Sequence, residues 1–108
     1  MDIMLKKLND YIPANKKGLV EKTIDFNNKD FNNLRDSLLG VGTILEEDFD
    51  DNIYVLNVSA GFAGKNAAIV VVMLEENVLK LLSYAKEGLI NQHTADGAVN
   101  RIINAISN

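Results

Sequence analysis

The sequence predicts an α+β fold, in which a mainly antiparallel sheet of about five strands carries helices packed chiefly on one face. Three observations support it. Apolar residues recur at helical spacing near both ends of the chain, they alternate with period two between the ends, and they form one unbroken run over residues 67–74. Helical and alternating periods indicate helices and half-buried strands respectively. Together they predict the order α-β-α-β-β-β-β-α.

The composition favours one ordered domain over residues 1–108. Hydrophobic residues make up 47% of the 108 positions and charged residues 24%, as in ordinary globular proteins. The chain contains no cysteine, which excludes disulfides, thiolate zinc sites and cysteine nucleophiles. We expect no cofactor.

The first part of the chain predicts a helix, a strand and a second helix. Asp2 is a suitable cap for the first helix, and Pro13 follows its end. Alternation predicts a half-buried strand from Val20 to Phe26. A second apolar stripe predicts a helix from about Asp30 to Leu39.

The middle of the chain predicts a hairpin. Its strands are Val41 to Phe49 and Ile53 to Ala60, and the turn between them is Asp50-Asp51-Asn52, whose side chains favour tight turns. In the second strand, one inner face is expected, formed by Tyr54, Leu56 and Val58.

The last part of the chain predicts two more strands and a helix. Ile69 to Leu74 lacks polar alternation, which indicates a central strand covered on both sides and implies a second layer or a partner. Val78 to Ala85 is interpreted as a strand, although its pattern also fits a helix. Thr94 is expected to cap the final helix, whose apolar stripe includes Val99 and Ile102.

Charge and hydropathy exclude several classes of partner. The net charge of −4 disfavours nucleic-acid binding, which depends on clustered Lys and Arg. The longest apolar run has eight residues, far fewer than the roughly 20 that span a bilayer. We therefore expect no nucleic acid, no membrane insertion and a cytoplasmic location.

No motif supports catalysis or metal binding. Ser59 to Asn66 shares part of the pattern of a phosphate-binding loop but lacks its first glycine and its final hydroxyl. The acidic stretch Glu46 to Asp51 partly matches a calcium loop, yet Ile53 stands where that loop needs glycine. The lone His93 has no metal or triad pattern around it. We expect no catalytic residue, no metal ligand and no enzyme.

Three residues are candidate contacts with a partner. Phe62 lies in a glycine-flanked loop, where an exposed aromatic residue can anchor an interface. Asp50 and Asp51 belong to the acidic turn and could meet a basic surface. The leading hypothesis is a non-enzymatic protein-interaction module, acting as a homodimer or bound to another protein. The alternative is a carrier of a small apolar ligand, with a cavity between the sheet and the C-terminal helix at Val99, Ile102 and Ile106.

Overall fold

A computed structural model describes residues 2–27, 31–59, 67–86 and 93–107. Within these ranges the chain has the predicted order α-β-α-β-β-β-β-α, with a short 3-10 turn before the first strand. The elements are α1 (Ile3–Tyr11), β1 (Val20–Asp25), α2 (Phe31–Leu39), β2 (Thr43–Asp48), β3 (Ile53–Val58), β4 (Ala68–Glu75), β5 (Val78–Tyr84) and α3 (Thr94–Ser107).

The strands form one antiparallel sheet in the order β1-β5-β4-β3-β2. β4 is its centre, as its continuous apolar run predicts, and Val71 pairs with Val55 on one side and Leu82 on the other. The ambiguous segment after Asn77 is a strand and pairs with both β4 and β1. β1 and β2 are therefore the two edges.

Helices cover both faces of the sheet. α2 and α3 lie on one face and share a buried cluster with alternate strand residues. α1 packs on the other face, against β3, β4 and β5. Since two of the three described helices share a face, the prediction of helices chiefly on one side is confirmed. The double burial of β4 is explained by helices of the same chain.

The N-terminal helix is stabilised at its start by a cap and packs on the sheet through an apolar stripe. The Oδ1 atom of Asp2 accepts a hydrogen bond from the amide of Met4 at 2.9 Å, as an N-cap should. Met4 and Leu8 are buried against the sheet. The buried residues of this face are Met4, Leu8, Ile53, Val55, Ile69, Val71, Met73, Leu82 and Tyr84.

β3 is buried on both faces, which the sequence analysis did not anticipate. Tyr54, Leu56 and Val58 face α2 and α3 as predicted. Ile53 and Val55 are also fully buried, beneath α1. The other face of β3 is thus an interior surface as well.

β2 begins two residues later than predicted. The amides of Val41 and Gly42 both donate to the carbonyl oxygen of Leu38, at 3.0 and 3.1 Å. These bonds close the last turn of α2 and satisfy carbonyl groups that a helix end leaves unpaired. The first residue free to join the sheet is Thr43.

The cap predicted for α3 is displaced by one position. Thr94 is the first residue of the helix, and the carbonyl oxygen of His93 accepts the first helical bond from the amide of Gly97 at 2.9 Å. His93 has a φ of 57°, in the left-handed region.

None of the helices in the described ranges has the length and apolar character required to cross a membrane.

Candidate functional site

The predicted acidic stretch lies on β2, and its side chains alternate between the two faces of the sheet. Glu46 and Asp48 point to the α1 face, whereas Glu47 points to the α2 face. This alternation follows from the period of a strand. The acidic side chains of β2 therefore form two groups: Glu46 and Asp48 on the α1 face, and Glu47 on the α2 face.

Lys7 of α1 is the centre of the first group. Its ammonium donates to Glu46 and lies 3.0 Å from Asp48 Oδ2, while the hydroxyl of Tyr11 donates to Glu46 Oε1 at 2.7 Å. The hydrogen bonds from Lys7 lower the pKa of Glu46 and of Asp48, and those carboxylates raise the pKa of Lys7. α1 is thus tied to β2 by charge as well as by apolar packing.

The second group joins α2 to the same strand. The guanidinium of Arg35 donates to Glu47, and this hydrogen bond raises the pKa of Arg35. Both side chains are partly exposed, at 44% and 29%, so the ion pair contributes little to the free energy of unfolding. Its effect is to orient Glu47 along the helix side of β2.

The turn after β2 is organised by Asp48. Its Oδ1 accepts hydrogen bonds from the amides of Asp50 and Asp51, at 3.0 and 3.1 Å. Asn52 completes the turn with a φ of 56°, which asparagine tolerates better than most residues. Asp50 and Asp51 point to solvent. Desolvation and the nearby Asp48 raise the pKa of Asp51.

The other residues singled out from the sequence lie elsewhere. Phe62 falls outside the described residues. His93 is exposed, with its Nδ1 3.5 Å from Asp96 Oδ2 in the first turn of α3. Among the residues that the structure describes, no group of three or more carboxylates and imidazoles is arranged to hold a metal ion.

The apolar residues expected to flank a ligand cavity belong to the core. Val99, Ile102 and Ile106 of α3 are buried in one cluster with the inner residues of the sheet. Side chains packed in this way fill the space between a helix and a sheet. The ligand-carrier alternative is therefore not favoured by the packing of these three residues.

A different feature distinguishes β2: the exposed large apolar side chains of the described residues all border this strand. Leu45 lies within β2, and Phe49 follows it directly. Leu39 lies at the end of α2 beside β2, and Tyr11 bonds to Glu46 from α1. Their exposed fractions are Tyr11 40%, Leu39 48%, Leu45 41% and Phe49 61%.

A β-bulge accounts for the exposure of Leu45. Ile44 pairs with Leu56 and Glu46 pairs with Val55, so Leu45 is the extra residue and has no partner on β3. Ile44 packs towards the core, whereas Leu45 turns outward. Leu45 and Leu39 then line a shallow groove of about 390 Å³, in which Arg35 and Glu47 contribute the charged groups.

Sequence reasoning missed this apolar rim, which we define as Tyr11, Leu39, Leu45 and Phe49. The one available signal was the adjacent pair Ile44-Leu45, since two neighbouring residues of a strand cannot both face the same core. No model of a known protein family matches the sequence, and no curated protein matches it; function is therefore inferred from the residues themselves.

Proposed function

We propose that this chain is a non-enzymatic protein-interaction module that binds a partner protein along the outer edge of β2. One observation carries the proposal: the apolar rim surrounds a single edge strand rather than being scattered. Exposed apolar residues that cluster beside polar groups are typical of interaction surfaces. Asp50 and Asp51, the contacts suggested by the sequence, lie directly after Phe49 at the end of this surface.

The opposite edge of the sheet supports the choice of β2. Along β1 the exposed side chains are Glu21, Lys22, Thr23 and Asp25, which are polar and of mixed charge. β2 carries charged residues as well, but the exposed large apolar side chains of the described residues all lie on or beside β2. The two edges therefore differ in exposed apolar surface, which favours β2 as the interaction surface.

Charge favours another protein over a second copy of this chain. Within the described ranges, the acidic residues Glu46, Asp48 and Glu47 form ion pairs with two basic side chains, Lys7 and Arg35, and Asp50 and Asp51 are exposed beside them. Two copies that met through β2 would bring these acidic groups together at a cost in free energy. A basic partner would meet them favourably.

The proposal is tested by comparative purification from the native cell. Leu45→Asp places a charge in the apolar rim, and Thr23→Asp places the same charge on the opposite edge as a matched control. Both positions are exposed, so circular dichroism should show both variants folded. We expect proteins retained by the wild type and by Thr23→Asp to be lost from Leu45→Asp. Equal retention by all three would refute the proposal. Fractionation of the same cells tests the predicted cytoplasmic location.

A further inference from the structure

The backbone of β2 is available on its outer side. The sheet order places no described strand beyond it, and the backbone hydrogen bonds of its residues run to β3. In an edge strand, alternate N–H and C=O groups point away from the sheet and can pair with an added strand. A partner that supplies those pairs would gain main-chain hydrogen bonds in addition to side-chain contacts.

We infer that β2 binds an extended segment of a partner protein as an added sixth strand, and that this segment alternates apolar residues with Lys or Arg. The inference rests on the proposed function and specifies the partner's chemistry. An added strand presents successive side chains to opposite faces of the sheet. Each face of β2 then selects a different kind of residue.

The α2 face selects apolar residues. Leu39 and Leu45 line the groove beside the strand, and Phe49 lies further along the same edge against Phe31. An added strand would place every second side chain over this side of the sheet. Apolar groups there would cover the exposed parts of Leu39, Leu45 and Phe49 and remove apolar surface from water.

The α1 face and the turn select basic residues. Glu46 and Asp48 share one lysine, Lys7, so the two carboxylates exceed the positive charge that bonds to them. Asp50 and Asp51 add two exposed acids at the end of the edge. Lys or Arg at alternate positions of the partner would therefore meet negative charge, whereas a second β2 would bring like charges together.

The inference is tested with capped synthetic peptides of about eight residues, close to the length of a typical strand. The first peptide alternates valine and lysine. The second has the same composition in two blocks, and the third replaces lysine with glutamate. We expect only the alternating peptide to bind, with slower amide exchange in residues 43–48 as the spectroscopic sign of strand addition. Binding of the block peptide with equal affinity would overturn the inference.

Two methylated peptides test the main-chain hydrogen bonds directly. N-methylation removes the N–H donors of alternate residues, so one register of methylation removes the donors that face β2 and the other leaves them intact. We expect the first to weaken binding at least about tenfold and the second by less than about twofold. Equal affinity of both methylated peptides would show that the backbone takes no part and would overturn the inference.

Protein variants separate this inference from the proposed function. Joint reversal of Asp50→Lys and Asp51→Lys should weaken the alternating peptide about tenfold, while Thr23→Asp should not. If Leu45→Asp loses its partners in cells but the wild type binds no alternating peptide, the inference is wrong and the proposed function stands. If Leu45→Asp keeps its partners, the proposed function is wrong.

Discussion

Tyr54 and Phe31 are joined both by a hydrogen bond and by ring stacking. The buried hydroxyl of Tyr54 donates to the carbonyl oxygen of Phe31 at 2.8 Å, and the two ring centroids are 4.0 Å apart. The edge of Phe49 meets Phe31 with centroids 5.4 Å apart at 79°. The first residue of α2 thus connects the core of β3 to the exposed aromatic ring at the end of β2.

Removal of the Tyr54 hydroxyl should destabilise the protein. Tyr54→Phe keeps the stacked ring but deletes a buried donor, so we expect a loss of about 1 kcal/mol in the free energy of unfolding. Tyr11→Phe is the matched control, because its hydroxyl bonds to Glu46 at the surface and should cost less. Urea denaturation of both variants makes the comparison. A larger loss for Tyr11→Phe would contradict the assigned roles.

Lys7→Met should reduce stability over a defined pH range. The pKa values of Glu46 and Asp48 are lowered from 4.5 and 3.8, so their contribution is present above those values and is lost as pH falls through the lower folded values. The pKa of Lys7 is raised from 10.5, so its contribution is present below that value and is lost well above it. Between about pH 5 and 10 we expect a deficit of about 1 kcal/mol, because the pair is partly exposed.

Denaturation at several pH values measures that deficit. The difference between wild type and Lys7→Met should shrink below about pH 4, where both carboxylates become protonated. Lys6→Met is the control, since Lys6 is exposed on the same helix. A deficit that stays constant down to pH 2 would show that it does not come from the ion pairs with Glu46 and Asp48, and would contradict the role assigned to Lys7.

The order and type of the elements could be predicted from the sequence, but the face of the sheet that each helix covers could not. The unbroken run of β4 correctly indicated burial on both sides, because a strand with one wet face would alternate. The apolar stripe of α1 did not indicate which face of the sheet the helix would cover. Amphipathicity predicts that one side of a helix is buried, but not which surface it packs against. The run Ile53 to Leu56, four apolar residues in succession, was the signal that β3 is also doubly buried.

Substitution by alanine should lower the stability of the protein at Gly42 and raise it at Gly97. A Cβ atom at Gly42 would lie 2.5 Å from the carbonyl oxygen of Asn57, so Gly42→Ala must displace backbone and should cost about 1–3 kcal/mol. At Gly97, inside α3, a Cβ atom meets nothing within 4 Å, and Gly97→Ala should gain about 0.5–1 kcal/mol from helix propensity. Thermal melts of the two variants should shift in opposite directions, and a shift in the same direction would contradict this packing.

Ser83→Ala should leave stability unchanged or raise it by up to about 1 kcal/mol. The hydroxyl of Ser83 is fully buried in β5 and has no hydrogen-bond partner in the described part of the protein. A buried unpaired hydroxyl costs about 1–3 kcal/mol, and alanine removes that cost at the expense of a small loss of packing. Ser59→Ala, at an exposed position, is the control for urea denaturation. A clear loss of stability in Ser83→Ala alone would reveal an unseen partner.

Only the acidic part of the candidate site could be predicted from the sequence. The acidic stretch was evident, but its division between Lys7 and Arg35 depends on contacts across 39 and 12 positions of the chain. Only the folded sheet brings those positions together. The apolar rim could not be predicted from the sequence. The bulge at Leu45 interrupts the alternation of buried and exposed residues by which an exposed side chain of a strand is recognised.

Site-specific photo-crosslinking in the native cell tests the role of β2 most directly. A benzophenone amino acid replaces Leu45 in one sample and Thr23 in another, and adducts are weighed by mass spectrometry after irradiation. We predict that the probe at Leu45 joins the chain to a different protein and that the probe at Thr23 does not. Adducts at Thr23 alone, or a Leu45 adduct that consists of two copies of this chain, would contradict binding of a partner protein along β2.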